Sequence, residues 1–192
     1  MNLIRFAIFL IGILILAYAF GFILQLDFAT RIWPWPDGRL SYLFVGSILA
    51  AVSAAALWIG WTGELGALPA GSLNVFVIAL GCVLYFFPLA AERPGLSIFG
   101  WVSVAAALLS GLTFLWSRRI PLRESFPTPL PVRVSFGVFV ASLLFAGTAL
   151  LLRQPVFPWK LNPDSSVIFG CILLEMPFTF CTPFSSPAGT ML

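Results

Sequence analysis

The sequence predicts an all-α fold, a polytopic bundle of about six transmembrane helices. Hydrophobic residues make up 60% of the 192 residues and charged residues only 9%, whereas a soluble globular chain carries about 25% charged residues. Long apolar runs follow one another, each near the roughly 20 residues that a transmembrane helix needs. The runs do not alternate apolar and polar residues, as barrel strands would. We therefore predict a single integral membrane domain over residues 1–192.

The predicted spans are bounded by proline, glycine or charged residues, which mark the ends of membrane helices. They cover residues 3–24, 41–61, 73–89, 98–116, 132–152 and 166–182. An alternative for the first span is a signal peptide, because residues 17–19, Ala-Tyr-Ala, fit the small-x-small cleavage pattern. The apolar run continues to Leu24, which is long enough to cross a bilayer and favours a retained helix.

The orientation follows from the distribution of cations. The loop between the fourth and fifth spans carries the largest group, Arg118, Arg119, Arg123 and Arg133. The positive-inside rule places this loop in the cytoplasm. Counting spans then predicts cytoplasmic amino and carboxyl ends and places the loops at residues 31–39 and 153–164 on the outer side. The expected location is the bacterial cell membrane.

The sixth span loses its hydrophobic character halfway across. Glu175 and Pro177 interrupt it, and polar residues and further prolines follow. A glutamate near midspan costs about 2.5 kcal/mol or more unless it is paired, and a proline removes a helix hydrogen bond. The sequence favours an incomplete span whose carboxyl end is truncated or frameshifted after Leu174. Two alternatives stay open: Glu175 as an intramembrane ligand or proton carrier, and a short half-helix with a disordered tail.

No cofactor or metal site is predicted. The chain has no histidine and three cysteines, Cys82, Cys171 and Cys181, without a CxxC spacing. Metal sites built on imidazole are therefore excluded, and we predict no catalytic residue either. The net charge of +3 is spread over the loops, so the chain lacks the dense basic run typical of nucleic-acid binding. The expected partner is the lipid bilayer.

Two of the loops resemble one another without a gap. IWPW at residues 32–35 aligns with VFPW at residues 156–159, at an offset of 124 residues. The same register aligns Ser41 with Ser165, Gly46 with Gly170, and residues 48–49 with 172–173. One explanation is a parallel duplication of a four-helix unit, of which the second is half present. The other is that aromatic residues and prolines commonly recur at membrane interfaces.

Small residues at four-residue spacing predict close helix packing, because they let helix backbones approach each other in lipid. The stripes are Gly46, Ala50 and Ala54, and Ser47, Ala51 and Ala55, on the second span, and Ser103, Ala107 and Gly111 on the fourth. Such stripes form seams within a bundle or between copies, and a six-span bundle favours seams within it.

The candidate site is a polar cluster of the loops at residues 31–39 and 153–164, formed by Asp37, Arg39, Asp164 and Lys160, with Arg31 and Arg153 nearby. Acids among cations in loops that contain tryptophan and proline predict a pocket for a lipid headgroup or an anion. The competing interpretation is that these are solvated loop charges that fix the depth of the helices.

The function expected from these features is not catalytic. The first five spans contain no Asp, Glu, Lys or Arg away from their ends, which counts against an ion-coupled carrier. The sequence favours a multi-pass membrane protein with a structural or assembly role. Two alternatives stay open: a small-molecule transporter or permease subunit, and an interfacial membrane enzyme that uses Asp37 and Asp164.

Overall fold

Every regular element in the described part of the chain is helical. The computed structural model describes residues 3–121 and 129–181, with side chains up to residue 175. Its α-helices are α1 Leu3–Ile23, α2 Asp27–Thr30, α3 Arg39–Thr62, α4 Leu68–Glu92, α5 Ser97–Ser117, α6 Leu130–Leu151 and α7 Pro163–Cys181. Single 3-10 turns precede α4 and α5. The all-α prediction is confirmed.

Five of the described helices, α1, α3, α4, α5 and α6, are long and apolar enough to cross a membrane. This finding confirms the predicted transmembrane bundle of about six spans. The sixth helix, α7, has 19 residues and contains Glu175 and Pro177. α4 continues through Pro88 to Glu92, past its predicted end at residue 89. Arg123 and the tail at residues 182–192, which bears on the predicted frameshift, lie outside the described residues.

The α1–α3 pair is held by a close approach of the two backbones. A Cβ added to Gly46 would lie 2.6 Å from Ile23 Cγ1 and 2.9 Å from the Ala19 carbonyl oxygen. The Ser53 hydroxyl donates a hydrogen bond across the seam to the Gly12 carbonyl oxygen at 2.9 Å. Because van der Waals contact drives helix association in lipid, these small residues set the distance between α1 and α3.

Arg5 and Gly63 close the end of α3 that is remote from the two aromatic loops. Gly63 has a φ of 76°, a left-handed conformation that glycine adopts without strain. The Arg5 side chain donates to the Gly60 carbonyl oxygen at 3.4 Å and to the Trp61 carbonyl oxygen. A cation is favourable there because the last carbonyls carry the negative end of the helix dipole. Arg5 therefore fixes the start of α1 on the end of α3.

Three further helix pairs complete the bundle: α4 with α5, α6 with α7, and α4 with α7. In the α4–α5 seam, a Cβ added to Gly111 would lie 3.3 Å from the Phe76 ring. In the α4–α7 seam, a Cβ added to Gly81 would lie 2.9 Å from Cys171 Sγ. The α4–α7 contact joins the α4–α5 pair to the α6–α7 pair.

The ends of α1 and α6 are built alike. Three backbone hydrogen bonds close the end of α1 at residues 24–26, and three with the same spacing close the end of α6 at residues 152–154. Both ends contain a non-glycine residue with a positive φ, Gln25 at 55° and Arg153 at 56°. The corresponding residues are 128 positions apart.

The α6–α7 seam repeats the α1–α3 seam. A Cβ added to Gly170 would lie 3.0 Å from the Gly147 carbonyl oxygen and 3.0 Å from the Leu151 side chain. Gly170 lies 124 residues after Gly46. The α6 residues that contact Gly170, however, lie 128 residues after the α1 residues that contact Gly46. The difference is the length of α2, whose 4 residues lie in the first loop. The two helix hairpins therefore share one arrangement, with a single helical turn inserted in the first.

The other stripe residues divide between seams and surface. Ala107 is buried, and Ala50 and Ser103 are half-buried. The exposed members are all on α3: Ser47, Ala51, Ala54 and Ala55. The second stripe of α3 therefore faces away from the helices described here.

Both aromatic loops lie at the same end of the bundle, which we call the loop face. It comprises residues 24–38 between α1 and α3, residues 152–162 between α6 and α7, and Arg93 after α4. Arg5 and Arg118 lie at the opposite end, where α1 begins and α5 ends. The chain direction of the long helices therefore brings the predicted site residues to one end.

Candidate functional site

Asp37 is the centre of a hydrogen-bond cluster that joins the two loops. Its carboxylate accepts the indole N–H of Trp33 at 2.8 Å, the hydroxyl of Ser165 and the backbone N–H of Asn162 at 3.2 Å. Two of these three donors come from the second loop and the start of α7. Hydrogen bonds to a charged acceptor contribute more than those between neutral groups, so Asp37 ties the start of α3 to the start of α7.

A second set of contacts crosses the same boundary. The indole N–H of Trp159 donates to the Ser41 hydroxyl at 3.2 Å, and that of Trp33 also approaches the Ser165 hydroxyl at 3.3 Å. A tryptophan of each loop thus contacts the serine in the first turn of the helix that follows the other loop. We call the six residues of these contacts the loop clasp: Trp33, Asp37, Ser41, Trp159, Asn162 and Ser165.

Asn162 explains why α7 begins where it does. Its side-chain oxygen accepts the backbone N–H of Asp164 at 3.0 Å, which is the usual role of an asparagine that caps a helix. Pro163 follows at the first helical position, where its missing N–H costs nothing. The cap places Asp164 and Ser165 in the first turn of α7, next to the first loop.

Asp164 forms a separate ion-pair cluster beside the clasp. Its carboxylate accepts the Tyr85 hydroxyl at 2.7 Å, lies 3.1 Å from Arg93 Nη1 and lies 3.8 Å from Arg153 Nη2. The Asp164 side chain is only 16% exposed, so its charge depends on these partners. The cluster connects α4, α6 and α7 at the loop face.

Aromatic rings pack next to both clusters. Trp35 stacks on Phe86 of α4, with ring centroids 5.8 Å apart and an interplanar angle of 7°. Phe169 of α7 packs against Trp33 at 5.5 Å and against Phe44 at 5.2 Å. Aromatic pairs in these geometries contribute about 0.5–1.5 kcal/mol beyond their buried area. The WPW segment is therefore packed against α1, α4 and α7.

The structure brings together only part of the predicted cluster. Asp37 and Asp164 are linked through Asn162, which bonds to both. Neither Arg39 nor Lys160 pairs with an aspartate within residues 3–121 and 129–175, although both lie at the loop face. The cations of Asp164 are Arg153, which the sequence had placed nearby, and Arg93, which it had not. Because successive spans alternate in direction, the connection after the third predicted span, which contains Arg93, falls on the same side as the two loops, so a signal for Arg93 was present in the sequence.

The two carboxylates of the site are bound by groups of the same chain. Both oxygens of Asp37 and both oxygens of Asp164 accept hydrogen bonds or ion pairs from the same chain. Within the described ranges, no group of three or more Asp, Glu or Cys residues is placed to hold a metal ion. Glu175 lies apart from the site: it is 4% exposed, and its Oε2 has no hydrogen-bond partner among the described residues.

Replacing Tyr85 with phenylalanine is expected to destabilise the protein by about 1–2 kcal/mol, because it removes a hydrogen bond to a largely buried carboxylate. Thermal unfolding in detergent measures the effect. Tyr18→Phe is the matched control, since the Tyr18 ring packs on Phe28 and its hydroxyl makes no hydrogen bond in the described part of the chain. Equal midpoints for the two variants would contradict the role of Tyr85.

The fold and the site together define an integral membrane protein of the polytopic α-helical class, with two loops tied at one end of the bundle. Comparisons with protein-family models, with curated proteins and with solved structures found no match for this chain.

Proposed function

We propose that this protein is a non-enzymatic membrane component with a structural or assembly role. The proposal rests on one observation: all four carboxylate oxygens of Asp37 and Asp164 accept hydrogen bonds or ion pairs from groups of the same chain. A carboxylate that acts as a general base needs an oxygen within reach of a substrate proton, and a ligand site needs donors or acceptors that the protein has not already paired. These two carboxylates instead join helices: Asp37 connects the two helix hairpins, and Asp164 connects α4, α6 and α7.

An exposed face of α3 supports the assembly role. In the second hairpin, the α7 face that carries Cys171 receives α4, which approaches at Gly81. Ser47 and Ala51 occupy the corresponding positions of α3, 124 residues before Cys171 and Glu175, and both are exposed. Small residues spaced by four allow a second helix to approach closely in lipid. We infer that this face of α3 receives a transmembrane helix, as its counterpart on α7 does.

A second copy of this chain is the occupant that we propose. A stripe of small residues on two identical helices is self-complementary about a two-fold axis. The contact then pairs Ser47, Ala51 and Ala55 of one copy with the same residues of its partner. The α3 helices would form the centre of a homodimer within the bilayer.

The experiment measures self-association in liposomes by fluorescence energy transfer between labelled copies, over a series of protein-to-lipid ratios. Ala51→Ile is expected to weaken association at least tenfold, because the added bulk separates the helix backbones. Ala141→Ile is the matched control, since it adds the same bulk at an exposed position of α6. A protein that is monomeric at every ratio, or equal loss in both variants, would overturn the proposal.

The orientation is part of the proposal. Arg118 and Arg119 follow the end of α5, at the end of the bundle opposite the loop face. The positive-inside rule therefore favours a cytoplasmic position for that end and an external position for the loop clasp, in a bacterial cell membrane.

A transporter or permease subunit is the second candidate, favoured by the two helix hairpins of one arrangement, since parallel repeats are common in transporters. The test is the reaction of Cys82 and Cys171 with a water-soluble thiol reagent in a Cys181→Ala background. Both cysteines lie along the α4–α7 seam, Cys82 buried and Cys171 partly buried. A water-filled transport path along this seam predicts rapid modification, whereas the assembly role predicts none.

A further inference from the structure

The loop between α6 and α7 covers a cavity that the loop clasp leaves open. The cavity has a volume of about 620 Å³, and its lining includes Arg153, Trp159, Lys160 and Ser166. The Ser166 hydroxyl already donates to the Leu150 carbonyl oxygen at 2.8 Å, and the Trp159 indole N–H is bonded within the clasp. The polar side chains of the lining that remain for a ligand are those of Arg153, Lys160 and Gln154.

An apolar groove adjoins this cavity along α6. The groove has a volume of about 670 Å³, and Phe145, Leu152 and Val156 line it. Cavity and groove share residues 154–156. Because Phe145 precedes the end of α6 by nearly two helical turns, the groove runs from the loop face toward the interior of the bilayer. The cationic cavity therefore opens onto the apolar groove.

The cavity carries surplus positive charge. The Arg153 side chain is 57% exposed and lies 3.8 Å from Asp164, while Lys160 makes no ion pair within the described side chains. Asp164 also pairs with Arg93 at 3.1 Å. Asp164 therefore shares its charge between two cations, Arg93 and Arg153, and Lys160 has no carboxylate partner among the described side chains.

We propose that cavity and groove together bind one anionic phospholipid from the leaflet at the loop face. The phosphate group lies between Arg153 and Lys160, whose guanidinium and ammonium groups both suit phosphate oxygens. One acyl chain lies along Phe145, Leu152 and Val156. The groove favours a lipid over a free anion, because only a lipid carries an acyl chain that can contact Phe145, Leu152 and Val156 while its phosphate lies in the adjoining cavity.

The experiment measures lipid retention by the full chain in detergent micelles with native mass spectrometry. Phosphatidylglycerol and phosphatidylcholine are the competing probes, and the wild type is expected to retain phosphatidylglycerol preferentially. Lys160→Gln is expected to weaken its retention about fivefold, and Lys160→Gln with Arg153→Gln about 25-fold. Glutamine suits position 153 because Gln25 holds the corresponding conformation at the end of α1.

Arg31→Gln is the matched control, since it removes a cation from the first loop, outside the cavity, and is expected to leave retention unchanged. Leu152→Gln tests the groove and is expected to weaken phosphatidylglycerol retention without changing the binding of inorganic phosphate. Unchanged retention in the double variant, or equal retention of both lipids by the wild type, would overturn the proposal. Binding of inorganic phosphate without retention of phosphatidylglycerol would overturn the lipid assignment.

Discussion

Replacing Asp37 with alanine is expected to lower the free energy of unfolding by about 3 kcal/mol, the largest effect of a single polar substitution at the loop face. Three donors lose their acceptor: the indole of Trp33, the hydroxyl of Ser165 and the amide of Asn162. Hydrogen bonds to charged groups contribute about 1.5–3 kcal/mol each, and they are not additive within one cluster. Unfolding by a graded denaturing detergent in mixed micelles measures the change.

Asp27→Ala is the control for this prediction. Asp27 is also an aspartate of the first loop, but the one ion pair that it makes among the described residues is exposed: Arg31 lies 3.7 Å away, and the Asp27 side chain is 85% exposed. Exposed pairs contribute about 0–1 kcal/mol, so Asp27→Ala should have little effect. Similar losses in the two variants would contradict the loop clasp as the connection between the hairpins.

A double-mutant cycle separates the clasp from local effects on each loop. Asp37→Ala and Ser165→Ala remove opposite sides of one contact across the boundary between the hairpins. Residues that share such a contact show a coupling energy of about 0.5–3 kcal/mol. The same cycle with Asp27→Ala and Ser165→Ala should show none.

Gly46→Ala is expected to destabilise the bundle by about 1–3 kcal/mol, the cost usual for overpacking a tight contact. The new Cβ would lie 2.9 Å from the Ala19 carbonyl oxygen, and a backbone atom cannot move aside as a side-chain end can. The α1 helix would have to shift away from α3. Thermal unfolding in detergent measures the loss.

The repeated hairpin gives this prediction an internal counterpart. Gly170→Ala places a Cβ 3.0 Å from the Gly147 carbonyl oxygen, so its effect should be similar to that of Gly46→Ala. Gly137→Ala is the control, because nothing lies within 4 Å of the added Cβ and alanine favours a helix by up to about 1 kcal/mol. Destabilisation by all three substitutions alike would show that backbone approach does not hold the seams.

The positions of the long helices could be predicted from the sequence because a bilayer demands apolar runs of nearly fixed length. The predicted spans 3–24 and 132–152 end within two residues of α1 and α6. The short helix α2 could not be predicted in this way, since its 4 residues carry no hydropathy period. The sequence already aligned the two aromatic loops with each other. That this alignment reflects two helix hairpins of one arrangement could be recognised only from the contacts of α3 with α1 and of α7 with α6.

The partners in the loop clasp were beyond sequence reasoning. Tryptophans at a membrane interface are expected to anchor in the headgroup zone, and nothing in the sequence says that Trp33 and Trp159 each donate to the opposite hairpin. Asp37 and Asp164 were predicted to lie at one end, and they do. Two of their donors, Tyr85 and Ser165, are about 80 to 130 positions away from the aspartates that they bind, and only the packed helices determine those pairings.

The most direct test of a membrane bundle with both loops at one end is site-specific labelling in intact cells. Single cysteines are introduced as Arg31→Cys, Lys160→Cys and Arg119→Cys in a chain whose native cysteines are replaced by alanine, and a membrane-impermeant maleimide is added outside. We expect labelling at positions 31 and 160 and protection at position 119 until the membrane is opened. Labelling of positions 31 and 160 from opposite sides would contradict the bundle.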